Sequence, residues 1–252
     1  QELSQVRYDK EKGARFETEA RQVEFGKVFS PFKKAAKANT PAQDAKWLDS
    51  LFWDLADIGK EASEQGWTGG LFKDLGRRDA SGSWLLPNTV GDRTTKLHRV
   101  QYEGVAIIAR DWRPEFGQRL TDPGQHFRIV YLTRSQQIPQ EDLAEPRMAL
   151  CVPAGLSEEC REALADLVAC DEMKKKFTGP ADEEVRFKIE DRRKRAALEL
   201  LKHQVATYRQ GQIVTQKSLG IPPADIFAGQ RVREDSLASR ILDKTYDQPL
   251  FE

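Results

Sequence analysis

Residues 97–112 read LHRVQYEGVAIIARDW, and their pattern decides the fold class. Apolar and polar residues alternate as far as Tyr102, and the run from Val105 to Ala109 is continuously apolar. Alternation marks a half-buried strand and a short continuous run a fully buried one. A strand entering a sheet interior is therefore expected here, with Gly104 as the bulge or turn between its two parts. Moving outward, HFRIVYLT (126–133) and RMALCV (147–152) have the same β-branched and aromatic character, and QIVTQ (212–216) adds a further short strand.

Helical patterns flank these strands. The first 37 residues carry Phe16, Val23, Phe25, Val28, Phe29 and Phe32, too dense an apolar set for a free tail, and are read as a docked helical segment. Thr40-Pro41-Ala42-Gln43 combines a capping box with Pro at the first helical position, and Leu48, Leu51, Leu55 and Ile58 follow on one face until Gly66 stops the helix. Residues 67–95 are punctuated by Gly69, Gly70, Gly76, Gly82, Pro87 and Gly91, a series of turns with short elements between them. Ser157 followed by Glu158 and Glu159 caps a helix that buries Cys160, Leu164 and Leu167 and ends in Lys174, Lys175 and Lys176, before Gly179-Pro180. Residues 182–209 form a long charged helix with Leu198, Leu201, Val205 and Tyr208 as its inward stripe, and Gly211 turns the chain into QIVTQ. A last helix over 234–244 carries Leu237, Ile241 and Leu242. The expected fold is α+β, helix-rich, with a small, mainly antiparallel sheet. Residues 1–95 form a helical N-terminal region with Gly-rich turns, and residues 96–252 an α+β domain containing the long helix.

Composition narrows the function. The 252 residues hold 40 Lys plus Arg against 40 Asp plus Glu, so no net field draws the whole molecule to nucleic acid or to an anionic membrane. The three cysteines are odd in number and form no CxxC pair, which fits a reducing cytoplasm better than a disulfide framework. No apolar run approaches the roughly 20 residues of a membrane span. The chain opens on Gln1 and closes on Phe251-Glu252, which reads as an internal piece of a longer protein.

No motif supplies a reaction or a cofactor site. In WTGGLFKDLGRR, Lys73 is neither preceded by Gly nor followed by Ser or Thr, and in EFGKVFS the Gly26-Lys27 pair runs into Val28, so neither is a phosphate-binding loop and turns are the favoured reading. His98, His126 and His203 are isolated and lack zinc-ligand spacing. Cys151, Cys160 and Cys170 sit in strand or helix patterns as small hydrophobes. The acid pairs Glu158/Glu159, Glu141/Asp142 and Asp182/Glu183/Glu184 lie at expected helix starts, where they complement the dipole.

Basic residues provide the one binding signal. Lys188, Arg192, Arg195 and Lys202 recur along one face of the long helix, with Arg186, Arg193 and Lys194 beside them, and could follow a phosphate backbone. Glu183, Glu184, Glu190, Asp191 and Glu199 are interleaved, however, and favour a helix laced by i,i+4 ion pairs. A second candidate combines Lys73, Arg77, Arg78 and Arg93 with Trp67 and Trp84, a pairing of charge and aromatics that can grip single strands.

The order of HFRIVYLT, RMALCVPAGLSEECREALADLVACDEM, EEVRFKIEDRRKRAALELLKHQVATYRQGQIVTQ and LASRILDKTYDQPLF resembles the part downstream of the ATPase core in large phage-resistance ATPases of the BREX and phage-growth-limitation type, BrxC and PglY. The likeness covers residues 120–252 and rests on an arginine-rich helix, a short G-x-I-x strand and a terminal helix ending near Lys244-Thr245-Tyr246. It implies a non-catalytic binding or scaffolding module of a cytoplasmic defence protein, whose roles would be support of the motor, oligomerisation, or contact with DNA or partner subunits. Its implied partners are other subunits or domains of that complex and DNA, while the residues themselves offer no membrane span and no cofactor motif. The residues leave two other readings open: a stand-alone nucleic-acid-binding domain using the basic helix face, and a small hydrolase in which Cys151 or a Ser meets a His only in space.

Overall fold

A computed structural model of the chain describes the backbone of residues 4–9, 13–59, 63–64, 66–72, 77–78, 83–94, 99–228 and 234–245. It divides into two compact units, Gln1–Asp49 with Ser157–Leu200, and Ser50–Leu156 with Leu201–Glu252. The boundary is thus discontinuous in sequence and does not fall at 95/96 as the patterning suggested. Among the described residues, no helix is long and apolar enough to cross a membrane. The fold class is α+β, as expected.

The first unit opens with a hairpin, β1 (Ser4–Asp9) and β2 (Gly13–Thr18), paired antiparallel with Val6 opposite Phe16. This corrects the expectation of an all-helical start: alternation in SQVRYD and GARFET matches a period of two, and helix begins only at α1 (Glu19–Ala38). α2 (Thr40–Ser50) is capped by Asn39 rather than by a Thr40 box, since Ala42 N–H donates to Asn39 Oδ1 at 3.2 Å. Gln43 instead turns back, its amide donating to the Ala36 carbonyl at 2.8 Å and the Lys37 carbonyl at 3.1 Å. α4 (Glu158–Lys176) starts on Ser157, whose hydroxyl accepts from Cys160 N–H at 3.2 Å, and α5 (Glu183–Arg209) follows it. Phe29, Ala36, Ala165, Ala169, Cys170, Met173 and Ile189 form the core of this unit.

In the second unit α2 gives way to a separate short helix, α3 (Leu55–Ile58). The break has a local cause: Asp54 and Asp57 exchange side-chain-to-backbone hydrogen bonds of 3.1 Å each, which starts a new helical turn instead of continuing the old one. The sheet that follows runs β3 (Arg77–Arg78), β4 (Trp84–Thr94), β5 (Arg99–Ala109), β6 (Phe127–Leu132), β7 (Met148–Val152) and β8 (Gln212–Val214), in that spatial order. β4 falls in the stretch expected to hold only turns and short elements; Pro87 lies inside its register shift between Leu86 and Thr89, a place where a missing N–H is tolerated. The sheet is mixed. β5–β6 and β6–β7 are parallel, so the antiparallel expectation holds for the β3–β4, β4–β5 and β7–β8 pairs and fails at the centre.

β5 is one unbroken strand, which corrects the role of Gly104. That residue pairs with Thr89 on one side and Phe127 on the other, and a Cβ there would lie 2.5 Å from the Phe127 ring. Gly104 is needed for close approach, not for a bulge. Gly211 is similar: a Cβ would run into the Val152 carbonyl as the chain enters β8.

One sheet face carries Ile107, Ala109, Val130, Leu132, Met148, Leu150 and Val152, capped by Phe116 and Leu143 from the connections between the parallel strands. The registers of Ile108, Tyr131 and Cys151 put these on the opposite face. There Tyr131 meets Phe72 with centroids 5.1 Å apart, and Tyr208 meets Phe227 at 5.0 Å. The Tyr208 hydroxyl, fully buried, donates to the Leu132 carbonyl at 2.6 Å, and its ionisation is pushed well above the ordinary tyrosine range by burial. α6 (Pro223–Ile226) and α7 (Glu234–Thr245) complete the unit, with Leu237, Ile241 and Leu242 of α7 fully buried. The expected stripe of α5 holds at Leu201, Val205 and Tyr208; Leu198 is only half-buried, and Ile189, Ala196, Ala197 and Leu200 are buried instead.

Candidate binding surface

The charged helix belongs mainly to the first unit, and two of its basic groups, Arg192 and Arg193, are held by acids of α4. Asp166 of α4 is the hub. Arg192 of α5 reaches its Oδ2 through Nη2 at 2.6 Å and Nε at 2.8 Å, while Lys33 of α1 approaches Oδ1 at 2.7 Å. Glu162, one helical turn before, takes Lys33 at 2.8 Å and also Lys37. Asp171 joins Lys46 of α2 at 2.5 Å and Arg193 of α5 at 3.4 Å. The Arg192 guanidinium also lies 5.1 Å from the centroid of the Phe29 ring, a cation–π distance.

These contacts shift proton affinities in opposite directions. Burial alone would lower the Lys33 ammonium, but the hydrogen bonds and charges of Asp166 and Glu162 outweigh it and hold its pKa above the ordinary lysine value. Glu162 is held below the ordinary carboxylate range, chiefly by its hydrogen bonds to Lys33 and Lys37. Asp166 is nearly buried, so leaving it without a cation would be costly. The lattice therefore fastens α1, α4 and α5 by charge as well as by their apolar core.

The four residues singled out along the helix have different situations. Arg192 is committed to Asp166, Lys188 lies 3.6 Å from Glu184, and Arg195 pairs with Asp191 at 2.6 Å, both of the last two at i,i+4 spacing. Lys202 is exposed and belongs to the second unit. Their shared helix face is thus partly an internal ion-pair lattice rather than a continuous row of outward cations. In the second basic group the side chains of Lys73, Arg77, Arg78, Trp84 and Arg93 lie outside the described residues; Trp67 is half-buried.

The acid pairs Glu158/Glu159 and Glu183/Glu184 lie in the first turns of α4 and α5. Cys151, Cys160 and Cys170 are buried and form no disulfide, and burial pushes the Cys160 and Cys170 thiols up to about 12, far from the thiolate a nucleophile needs. Among the described residues, no three His, Cys, Asp or Glu side chains gather as a metal site. His98 lies outside the described residues, and His126 Nδ1 lies within hydrogen-bonding distance of the Glu103 backbone, 3.1 Å from its carbonyl and 3.3 Å from its N–H. Gly70 of the GG pair serves chain geometry, its N–H donating to Trp53 O at 2.7 Å.

Phe187 is 58% exposed, the more exposed of the two large hydrophobic side chains that stand out among the described residues. It lines an open cleft of about 370 Å³ with Lys174, Glu183, Arg186 and Glu190. Glu183, Arg186, Phe187 and Glu190 are spaced i, i+3, i+4, i+7, so they share one stripe of the helix. The signal was present in the sequence as an aromatic residue on an otherwise charged face. Compared with known proteins, the chain matches no family model, no curated protein and no solved structure.

Proposed function

We propose that this chain is a non-catalytic binding and scaffolding module whose contact surface is the Phe187 stripe of α5. The observation that carries the reading is an aromatic ring left 58% exposed on a helix fastened to its neighbours by the Asp166 lattice. Aromatic and Arg side chains on a rigid element are the groups that most often anchor protein interfaces, and Arg186 stands directly beside the ring. A home in a cytoplasmic phage-defence assembly, next to an ATPase motor and with subunits of that complex as partners, is supported by the likeness of residues 120–252 alone.

The test is a photo-crosslinking amino acid at position 187 in the full-length protein in cells. A discrete crosslinked protein is expected, lost when the crosslinker is moved to an exposed site on the opposite side of the helix. No crosslink at position 187 would overturn the reading, as would ATP hydrolysis by the purified chain.

A second reading, contact with DNA, is favoured by Arg195. Its side chain is 70% exposed and its acid partner Asp191 lies one turn back on the same helix, so a phosphate could replace that partner at little cost. Arg195→Glu should then reduce salt-dependent affinity for duplex DNA without unfolding the unit. Absence of binding by the unmodified chain at low salt removes this reading. Arg192→Glu is a poor probe, because it would place a carboxylate against Asp166.

A further inference from the structure

We infer that the partner of the Phe187 surface is a second copy of this chain, bound by two-fold symmetric, antiparallel pairing of the 183–190 segment of α5. The inference rests on the binding-module reading and names its partner. A two-fold interface must be complementary to itself, so that each residue of one copy finds its match on the same patch of the other. The Phe187 stripe meets that condition in charge: two cations, Lys174 and Arg186, and two acids, Glu183 and Glu190, surround one apolar ring.

Geometry follows from helix rise. With the two-fold axis at Phe187, the rings of the two copies face one another across the axis. Arg186 precedes that point by one residue and Glu190 follows it by three. In an antiparallel pair, Arg186 of one copy and the partner's Glu190 therefore lie on the same side of the axis, two residues apart along it, or about 3 Å. Two equivalent Arg186–Glu190 contacts then flank the ring pair. Glu190 keeps its other link, since Lys174 already holds it through Oε1 and leaves Oε2 for the incoming guanidinium. The cleft beside Phe187 gives the partner's ring a place to settle out of water. A patch of this kind with a net charge of one sign would repel its own copy; this one does not.

Sedimentation velocity and equilibrium of the purified chain over a wide concentration range test the pairing. The expected result is a concentration-dependent monomer–dimer equilibrium. Phe187→Glu should weaken it at least about tenfold, the loss typical of a central anchor. Arg186→Glu should weaken it as well, by placing a carboxylate beside the partner's Glu190, and Arg186→Glu combined with Glu190→Arg should restore it. Circular dichroism melts check that each variant is folded, which is expected because Phe187 and Arg186 are exposed. A monomer at every concentration, or a dimer indifferent to Phe187→Glu and to the charge exchange, overturns the inference. If the chain is monomeric while the crosslinker at position 187 still captures a different protein, symmetric pairing falls and the binding-module reading stands. If neither occurs, both fall.

Discussion

Gly104 and Asp166 show how single residues govern this molecule. At Gly104 a methyl group has nowhere to go, because the Phe127 ring lies 2.5 Å from where it would sit and Phe127 itself is fully buried. Gly104→Ala should therefore destabilise the second unit by about 1–3 kcal/mol, the usual cost of overpacking, measured by urea unfolding. Periodicity located this glycine but marked it as a bulge or turn, since the Phe127 ring, from the next strand of the sheet, leaves no mark on the local pattern. Asp166 was likewise invisible as a hub: it reads as one more acid on a charged helix until Lys33 and Arg192 converge on it. Asp166→Ala should cost more than Arg195→Ala, which loses an exposed i,i+4 pair of about 0.5 kcal/mol or less. Equal losses in thermal unfolding would show that the lattice contributes nothing beyond surface pairing.

At the scale of elements, caps and ion pairs define where helices and connections are fixed. Ser157→Ala should cost about 1 kcal/mol by leaving the Cys160 N–H unsatisfied, a change readable as a lower midpoint in denaturant. The connection before β7 is held differently, by the buried carboxylate of Glu145. It accepts from Leu120 N–H at 2.6 Å, from Arg147 N–H at 2.8 Å and from the Arg147 guanidinium at 2.8 Å. Burial alone would raise its pKa, but Arg147 and the two backbone donors outweigh burial and hold it below the ordinary value of 4.5. A carboxyl with a lowered folded-state pKa stabilises fully above its unfolded value and loses that contribution as pH falls through the folded one. Stability should thus decline as pH drops below about 4.5, to which Glu162 contributes in the same sense, and Glu145→Gln should be less stable at neutral pH with a shallower acid slope. An unchanged slope would mean that Glu145 has the same proton affinity folded and unfolded. Ser157 was legible because N-caps are local; Glu145 was not, because its partners lie on both sides of a strand.

The molecule as a whole is built from two units that share the chain in alternating segments: β8 pairs with β7 although α4 and most of α5, which lie between them in sequence, belong to the other unit. The central strands are the most deeply enclosed: Ala106, Ile108, Ile129 through Leu132 and Met148 through Cys151 are at or near zero exposure. Their amides should be the slowest to exchange with deuterium, and those of the short edge strand β8 faster; protection concentrated at β8 would contradict this account of the core. Patterns among neighbours a few residues apart were enough to locate the strands over 126–133, 147–152 and 212–216, the helix begun at Ser157, and the charged helix and its terminal companion. Tertiary structure alone decided the parallel pairing at the sheet centre, the discontinuous division of the chain, the ring packed on Gly104 and the convergence of three helices on Asp166. Periodicity reports which face of an element is apolar, whereas strand order, close approach and ion-pair partnership are set by contacts between segments far apart in sequence. Phe187 lies between the two: its place on a charged face was written in the chain, and its exposure beside a cleft followed only once α4 and α5 had packed.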